Sequence, residues 1–328
     1  HSLCTLEFED QRPFYDWVLE KIATFGLLQR PLPQQIEFAR LNMGYTITSK
    51  RYLKQLVDEG HVEGWDDPRM PTIVGMRRRG YPAEAVRLFM ERAGVSKADQ
   101  WIEPSVLENC VREVLNVTAP RRIAVLDPLK LVIANYPDGK SEECFAPNHP
   151  QRPGLGKRAM PFSRELWIER EDFQETPPKG YFRLFPGNTV RLKYGFVVKC
   201  TDFVKDASGK VTELRCEYMP DSKSGTPGAD AYKVKGVIHW VCARAALQSD
   251  VRLYDRLFKV EAPGKSSKSY LDDLNPDSMK TVRAYLEPCL ADAKDEDRVQ
   301  FERHGYFKRD GAVFMRTCTL RDSWGVSK

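Results

Sequence analysis

The sequence predicts an α + β protein: a helical N-terminal part followed by two antiparallel β-barrels. Three observations carry that expectation. Apolar residues recur at helical spacing through the first third, the period changes to two from about Thr118 onward, and the roughly 210 β-patterned residues that remain are too many for one small barrel.

The helical part shows three apolar stripes. Tyr52, Leu53, Leu56 and Val57 form the first, Val86, Leu88 and Phe89 the second, and Val106, Leu107, Cys110, Val111, Val114 and Leu115 the third. Gly60, Gly80 with Pro82, and Gly94 punctuate them as stop and start signals. In the β part, Val190, Leu192, Tyr194, Phe196, Val198 and Cys200 alternate with Arg191, Lys193 and Lys199, the pattern of one half-buried strand. Leu214, Cys216 and Tyr218 alternate in the same way, as do Tyr232, Val234, Gly236, Ile238 and Trp240, and shorter strands are expected at 129–133 and 313–319. Three stretches read as loops: the proline-rich 146–163, then 219–230, then the Ser- and Lys-rich 262–277.

A hydrophobic content of 41% is enough for packed cores, and a formal charge of +5 is compatible with a polyanionic partner. No apolar run approaches the roughly 18 residues of a membrane helix and the first residues form no signal peptide, so a cytoplasmic protein is expected. The eight cysteines stand singly, without a C-x-x-C pair or zinc-finger spacing, and are expected to be reduced core residues with no structural metal and no prosthetic group. No Walker, dinucleotide, H-E-x-x-H or G-x-S-x-G pattern occurs, which removes most hydrolase and redox readings. His239, in a strand beside Trp240, reads as a packed or surface side chain.

One short segment suggests phosphate chemistry. Ser49-Lys50-Arg51 opens the first amphipathic helix, and a hydroxyl, an ammonium and free backbone N–H groups at a helix start can hold a polyphosphate. Lys50 would stabilise charge on departing pyrophosphate. Together with Val62-Glu63-Gly64-Trp65-Asp66-Asp67-Pro68-Arg69-Met70-Pro71-Thr72 and Gly75-x-Arg77-Arg78-Arg79-Gly80, this run resembles the signature-loop region of class I glutaminyl- and glutamyl-tRNA synthetases. His1-Ser2-Leu3-Cys4-Thr5-Leu6-Glu7-Phe8 resembles the glutaminyl rather than the glutamyl enzymes. The resemblance continues through Ala119-Pro120-Arg121, Pro147-Asn148-His149-Pro150, Lys235-Gly236-Val237-Ile238-His239-Trp240 and Leu320-Arg321-Asp322-Ser323-Trp324, in the family's order and over essentially the whole chain.

The resemblance implies a C-terminal portion of a glutaminyl-type synthetase, lacking the Rossmann half with its H-I-G-H-type motif. It implies the end of the catalytic domain with a helical subdomain at 1–118, a proximal barrel from 119–176 and 257–328, and a distal barrel at 177–256. The parent would join L-glutamine to tRNA-Gln through glutaminyl-adenylate, consuming ATP with Mg2+ as substrate, and act as a monomer without membrane attachment. The portion alone would bind tRNA without charging it. The implied ATP contacts are Arg40, Leu41, Ser49 and Lys50, the last two also catalytic, and Thr48 replaces the family's usual Met. Asp10 is implied to read the acceptor stem, where guanine offers the minor groove its one amino donor. For the anticodon the resemblance implies Arg121, Gln300 and Arg303 at the middle base, Arg183 at the third, Arg191 and Lys193 near the first, and Arg321 on the loop. Gly180, Phe182 and Lys193 depart from the family pattern of Gln, Lys and Arg, and Phe182 is a residue that could stack on a base or equally pack in a barrel core. Two rivals differ in class: a glutamyl-tRNA synthetase, and a non-catalytic RNA-binding module, which would have no use for Ser49-Lys50-Arg51.

Overall fold

Five α-helices are present in the computed structural model, which describes residues 1–266 and 268–322: α1 (Arg12–Thr24), α2 (Lys50–Asp58), α3 (Ile73–Arg79), α4 (Ala83–Ala93) and α5 (Pro104–Thr118). The three sequence stripes correspond to α2, α4 and α5, whose buried residues include Leu53 and Leu56, Ala85 and Phe89, and Leu107, Cys110, Val111 and Leu115. Neither α1 nor α3 was foreseen. None of the α1 residues is buried, so no stripe marks it, and α3 has only seven residues.

The chain divides into two units. One comprises His1–Gly64, Pro82–Val111 and Arg256–Asn275; the other comprises Trp65–Tyr81, Arg112–Asp255 and the described residues from Pro276 on. In the first unit β1 (Ser2–Thr5) pairs in parallel with β2 (Gln35–Phe38), and β3 (Leu41–Met43) with β4 (Gln100–Ile102). Arg12 at the start of α1 reaches the buried Glu37 of β2, and Gln35 Nε2 donates to the same carboxylate at 2.8 Å. The Arg12 hydrogen bond, more than any other contact, holds the Glu37 carboxyl down to about 2.

The second unit contains the barrels. Its strands are β5 (Arg121–Arg122), β6 (Ala124–Val125), β7 (Pro128–Ile133), β8 (Ser141–Pro147), β9 (Lys157–Ser163), β10 (Glu165–Glu169), β11 (Thr189–Leu192), β12 (Val197–Lys205), β13 (Val211–Tyr218), β14 (Gly236–Ile238), β15 (Trp240–Cys242), β16 (Leu247–Tyr254), β17 (Met279–Leu286), β18 (Arg298–Phe301), β19 (Gly305–Asp310) and β20 (Val313–Cys318). Fourteen of them form two seven-segment sheets, ordered β14-β11-β12-β13-β7-β10-β15 and β5-β18-β19-β20-β16-β17-β6.

These sheets share one circuit. Read in that order, the pairings of each run parallel, antiparallel, antiparallel, parallel, antiparallel, antiparallel. The two end segments of each sheet are also successive in the chain, with only His239 between β14 and β15 and only Ile123 between β5 and β6. One bent strand therefore pairs with both edges and nearly closes each sheet, which removes the exposed edges that invite aggregation. The closing strand comes last in one barrel and first in the other. The two expected barrels are thus present, but each contains two parallel pairs rather than being wholly antiparallel. Strand pairing also runs across the expected divisions at 176/177 and 256/257: β7 and β10 join the sheet of β11 to β15, and β16 joins the other.

Two local expectations fail for physical reasons. The single strand expected over 190–200 is a hairpin, turning at Tyr194 (φ 64°) and Gly195, with Gly195 N–H donating to Leu192 O at 2.8 Å. The chain folds back onto the same core, so Phe196 is buried like Leu192 and the alternation survives the reversal. The expected loop 146–163 shrinks to 148–156, because β8 and β9 pair as a two-stranded hairpin in which Pro161 is tolerated as it would be at a sheet edge.

Aromatic residues fill the first barrel. Phe162 lies 4.7 Å from Phe196 and meets Trp240 edge-on at 5.4 Å, contacts worth about 0.5–1.5 kcal/mol each beyond burial. Phe301, Phe307 and Phe314 pack the second. The Arg77-Arg78-Arg79-Gly80 run fastens α3 to that second barrel: Arg79 Nε donates to Thr317 O at 3.1 Å, Thr317 Oγ1 donates back to Arg79 O at 2.8 Å, and Arg78 reaches Asp310 at 3.2 Å. Gly80 ends α3 at φ 101°, and a Cβ there would lie 2.6 Å from Thr317 Oγ1, so only glycine fits.

Segment 121–127 closes one barrel and leads directly into the other, and two buried carboxylates hold it. Glu287 accepts Ile123 N–H at 2.6 Å and Arg158 Nη2 at 2.7 Å; Glu169 accepts Leu126 N–H at 2.6 Å and Asp127 N–H at 3.0 Å. His239, the bend of the other closing strand, is also buried, with no hydrogen-bond partner for Nδ1 among the described residues. Desolvation first, and then the charges of Lys193, Arg303, His304 and Arg183, push its pKa well below the usual histidine value, although Glu302 Oε2 lies 3.8 Å from Nε2.

Two stability outcomes follow from these buried groups. Glu287→Ala should destabilise the barrel unit by about 3–5 kcal/mol in urea titrations, because it strands Arg158 and the Ile123 N–H, whereas removing both partners should cost less than Glu287→Ala alone. For His239 the unfolded state takes up a proton below about pH 6.5 and the folded state does not, so stability is complete above that pH and falls as pH drops toward the depressed folded value. The urea midpoint should decline between about pH 7 and 5.5, and His239→Leu should flatten the decline; an equal decline in both proteins would assign it to other groups.

Candidate nucleic-acid interface

The residues expected to meet ATP and the acceptor stem lie in the first unit. Ser49 is the N-cap of α2 and Lys50 its first residue, and both are exposed. Ser49 makes no side-chain cap hydrogen bond, which leaves its hydroxyl uncommitted to the helix. Leu41 begins β3, and the exposed Arg40 just before it is paired with Glu7. Asp10 lies exposed in the 3-10 turn Leu6–Gln11.

Most of the expected anticodon residues meet around the β18–β19 turn of the barrel unit. Parallel pairing of β5 with β18 sets Arg121 opposite Gln300. Arg121 is 7% exposed and turned toward the end of α5, donating to Ala119 O at 2.6 Å, Asn116 O at 3.0 Å and Asn116 Oδ1 at 2.8 Å. Burial pulls its pKa below the ordinary arginine value, and in this state the guanidinium satisfies helix-end acceptors. Gln300 is half-buried, with its backbone N–H on Pro120 O at 2.9 Å.

Arg303 occupies the turn at φ 73°, a left-handed conformation that costs a non-glycine residue roughly 1–2 kcal/mol and gathers at functional sites. Its guanidinium donates through Nη1 to Asp172 Oδ2 at 2.7 Å and through Nη2 to Glu171. Arg183, carried by the other barrel ahead of β11, reaches the same two carboxylates, Glu171 at 3.0 Å and Asp172 Oδ1 at 2.8 Å. Burial works against the charge on Arg303, but Asp172 and Glu171 outweigh it and raise the pKa. Lys193 pairs with Glu302, the residue before Arg303, and lies 5.1 Å from the centre of the Tyr194 ring.

Two expected readers stand apart from this group. Arg191 donates to Ser222 O at 2.7 Å and Ala229 O at 2.9 Å, so it organises the 219–232 loop instead of facing solvent from a strand. Arg321 is exposed near the end of the described residues, and Ser323 and Trp324 of its motif lie outside them. Phe182 is 53% exposed, with Lys235 Nζ 5.4 Å from its ring centre, which excludes a core role. The Phe182 backbone is pressed against Gly236, where a Cβ would come within 1.9 Å of Phe182 O.

Sequence reasoning missed the acidic partners Glu171, Asp172 and Glu302. The one available signal was the run Glu169-Arg170-Glu171-Asp172, which places three carboxylates shortly before Arg183 in a basic chain.

Residues 1–117 match the family described as tRNA synthetases class I (E and Q), catalytic domain, and residues 119–219 and 237–310 match two families described as tRNA synthetases class I (E and Q), anti-codon binding domain. Similar curated proteins include the glutamine–tRNA ligases of Cupriavidus metallidurans, Ralstonia pickettii and Bordetella pertussis, at 63%, 61% and 60% identity over 99% of this chain. The chain spans 57%, 58% and 56% of their respective lengths. From these matches across both units, the chain belongs to the class I tRNA synthetases of the E and Q group.

Proposed function

We propose that these residues supply tRNA-Gln binding and anticodon recognition to a cytoplasmic, monomeric glutamine–tRNA ligase. The observation that carries this is the convergence of Arg183, Lys193, Gln300 and Arg303, from both barrels, around one strained turn within stretches that match the anti-codon binding domain. Single-stranded bases can be splayed from a loop and read on their edges. The amide of Gln300 supplies a donor and an acceptor and Arg303 a rigid fork, the combination that discriminates a uracil at the middle position. Arg183 would serve the third base, and Lys193 the first. Arg191 supports that end by holding the 219–232 loop. Arg121 would join the middle-base readers by turning away from the end of α5, and Arg321 would meet the loop backbone.

The parent reaction joins glutamine to the tRNA 3′ end through glutaminyl-adenylate, with ATP and its Mg2+ as substrate. Arg40, Leu41, Ser49 and Lys50 are this chain's contribution at the nucleotide, where an exposed ammonium at a helix start suits phosphate oxygens. Lys50 would act on charge developing at the departing pyrophosphate, without transferring a proton. Asp10 would accept from a guanine amino group in the acceptor-stem minor groove. The 328 residues alone are expected to bind tRNA without charging it, because adenylate formation depends on aligning the carboxylate with the α-phosphate.

Binding of the chain to a tRNA-Gln transcript and to one with a substituted middle anticodon base, at two salt concentrations, tests this. The substituted transcript should bind more weakly at both, while equal and salt-sensitive binding would leave only a basic surface. Gln300→Ala should cost about 1–3 kcal/mol toward the cognate transcript and relax discrimination at the middle base. Uniform weakening toward all transcripts would make Gln300 a backbone contact.

A further inference from the structure

The carboxylates that grip Arg183 and Arg303 are neighbours in the 3-10 turn Arg170–Asp172, yet they differ in kind. The Asp172 side chain has 0% exposure and faces one arginine with each oxygen: Oδ2 accepts from Arg303 Nη1 at 2.7 Å, and Arg183 Nη1 lies 2.8 Å from Oδ1 as an ion pair without hydrogen-bond alignment. This sets the separation of two guanidiniums that come from different barrels. Glu171 lies at the rim with its side chain 65% exposed and binds the same two guanidiniums, accepting at 3.0 Å from the Arg183 Nη1 that also faces Asp172 and from the Arg303 Nη2 that Asp172 does not take. An ion pair so exposed to water contributes little to stability and opens readily, whereas a buried one does not. Arg303 Nη2, and in part Arg183 Nη1, are thus covered by the one partner that can leave.

We propose that Glu171 is a built-in competitor for RNA, its carboxylate holding Arg303 Nη2 and sharing Arg183 Nη1 until an acceptor oxygen of the anticodon loop replaces it. This rests on the anticodon reading above. Asp172 is the positioning residue that keeps the fork assembled during the exchange. Burial raises the Glu171 carboxyl, but the Arg183 hydrogen bond and the charges of both arginines outweigh it, so the net shift is downward and the competitor remains ionised at neutral pH. Masking both cations in the free protein also limits adhesion to arbitrary polyanions, since phosphate attraction depends on uncompensated charge.

The test is a double-mutant cycle on the 328-residue chain, with Glu171→Gln, Arg303→Ala and the double variant titrated against an unmodified tRNA-Gln transcript. Glu171→Gln keeps size and shape, so circular dichroism and urea midpoint should stay those of the wild type. Its affinity should rise roughly two- to fivefold, the range of an exposed ion pair, and the gain should shrink in the Arg303→Ala background, where only the Arg183 contact is left to release. A gain retained with a middle-base-substituted transcript would make the incoming acceptor a phosphate, and a gain confined to the cognate would make it a base carbonyl; either supports the competition. Unchanged or weaker binding by Glu171→Gln, with Arg303→Ala still costing affinity, overturns the proposal and leaves the anticodon reading intact. If Arg303→Ala also costs nothing, both are overturned.

Discussion

Segment 121–127 has to close one barrel and start the other within seven residues, and its backbone cannot satisfy both sheets at once. Its N–H groups at Ile123, Leu126 and Asp127 turn out of the ladders where the strand bends, and a buried unpaired N–H is among the costlier defects a fold can carry. Glu287 and Glu169, one following β17 and one ending β10, accept those donors from opposite sheets. Because β5 pairs with β18, fixing the segment also fixes the register of Gln300 and with it the strained turn that presents Arg303. Arg183 arrives from the other barrel at the same acidic turn. The buried carboxylates thus join backbone closure to the assembly of side chains that we propose read RNA.

Electrostatics in the barrel unit is largely self-complementary. A formal charge of +5 on 328 residues is modest for a protein proposed to bind a polyanion, and the paired state of Arg183, Lys193 and Arg303 accounts for part of that restraint. Each cation has a carboxylate partner, and in the proposed complex docking would replace one set of charge-assisted contacts with another. A site built this way favours partners whose acceptors fall in the right places over those that only supply negative charge.

How much was legible in the sequence depended on whether a signal was local. The stripes of α2 and α5 and the alternation in β7 and β13 come from one-sided burial, which leaves its period in the chain. Signature-loop and barrel motifs were legible as ordered strings, and the family matches agree with them. The hairpin at Tyr194 was hidden because both of its arms bury residues in one core, and the alternation does not register the reversal. Parallel closure of the barrels was hidden because it joins residues as distant as Arg121 and Gln300. Candidate cations could be named from sequence, but their partners could not, because Glu171 and Arg303 are 132 positions apart. For the same reason Arg191, read as one face of a strand, is in fact committed to the carbonyls of a loop.

A nuclease or chemical footprint of a tRNA-Gln transcript bound to this chain tests the central claim most directly, because it locates the contact on the RNA without relying on any substitution in the protein. If the two barrels form one anticodon-reading surface, the bases of the anticodon should be protected together, and the protection should persist at a salt concentration that abolishes binding of an unrelated tRNA. Protection confined to the sugar–phosphate backbone of the helical arms, with the anticodon bases as reactive as in free RNA, would contradict it.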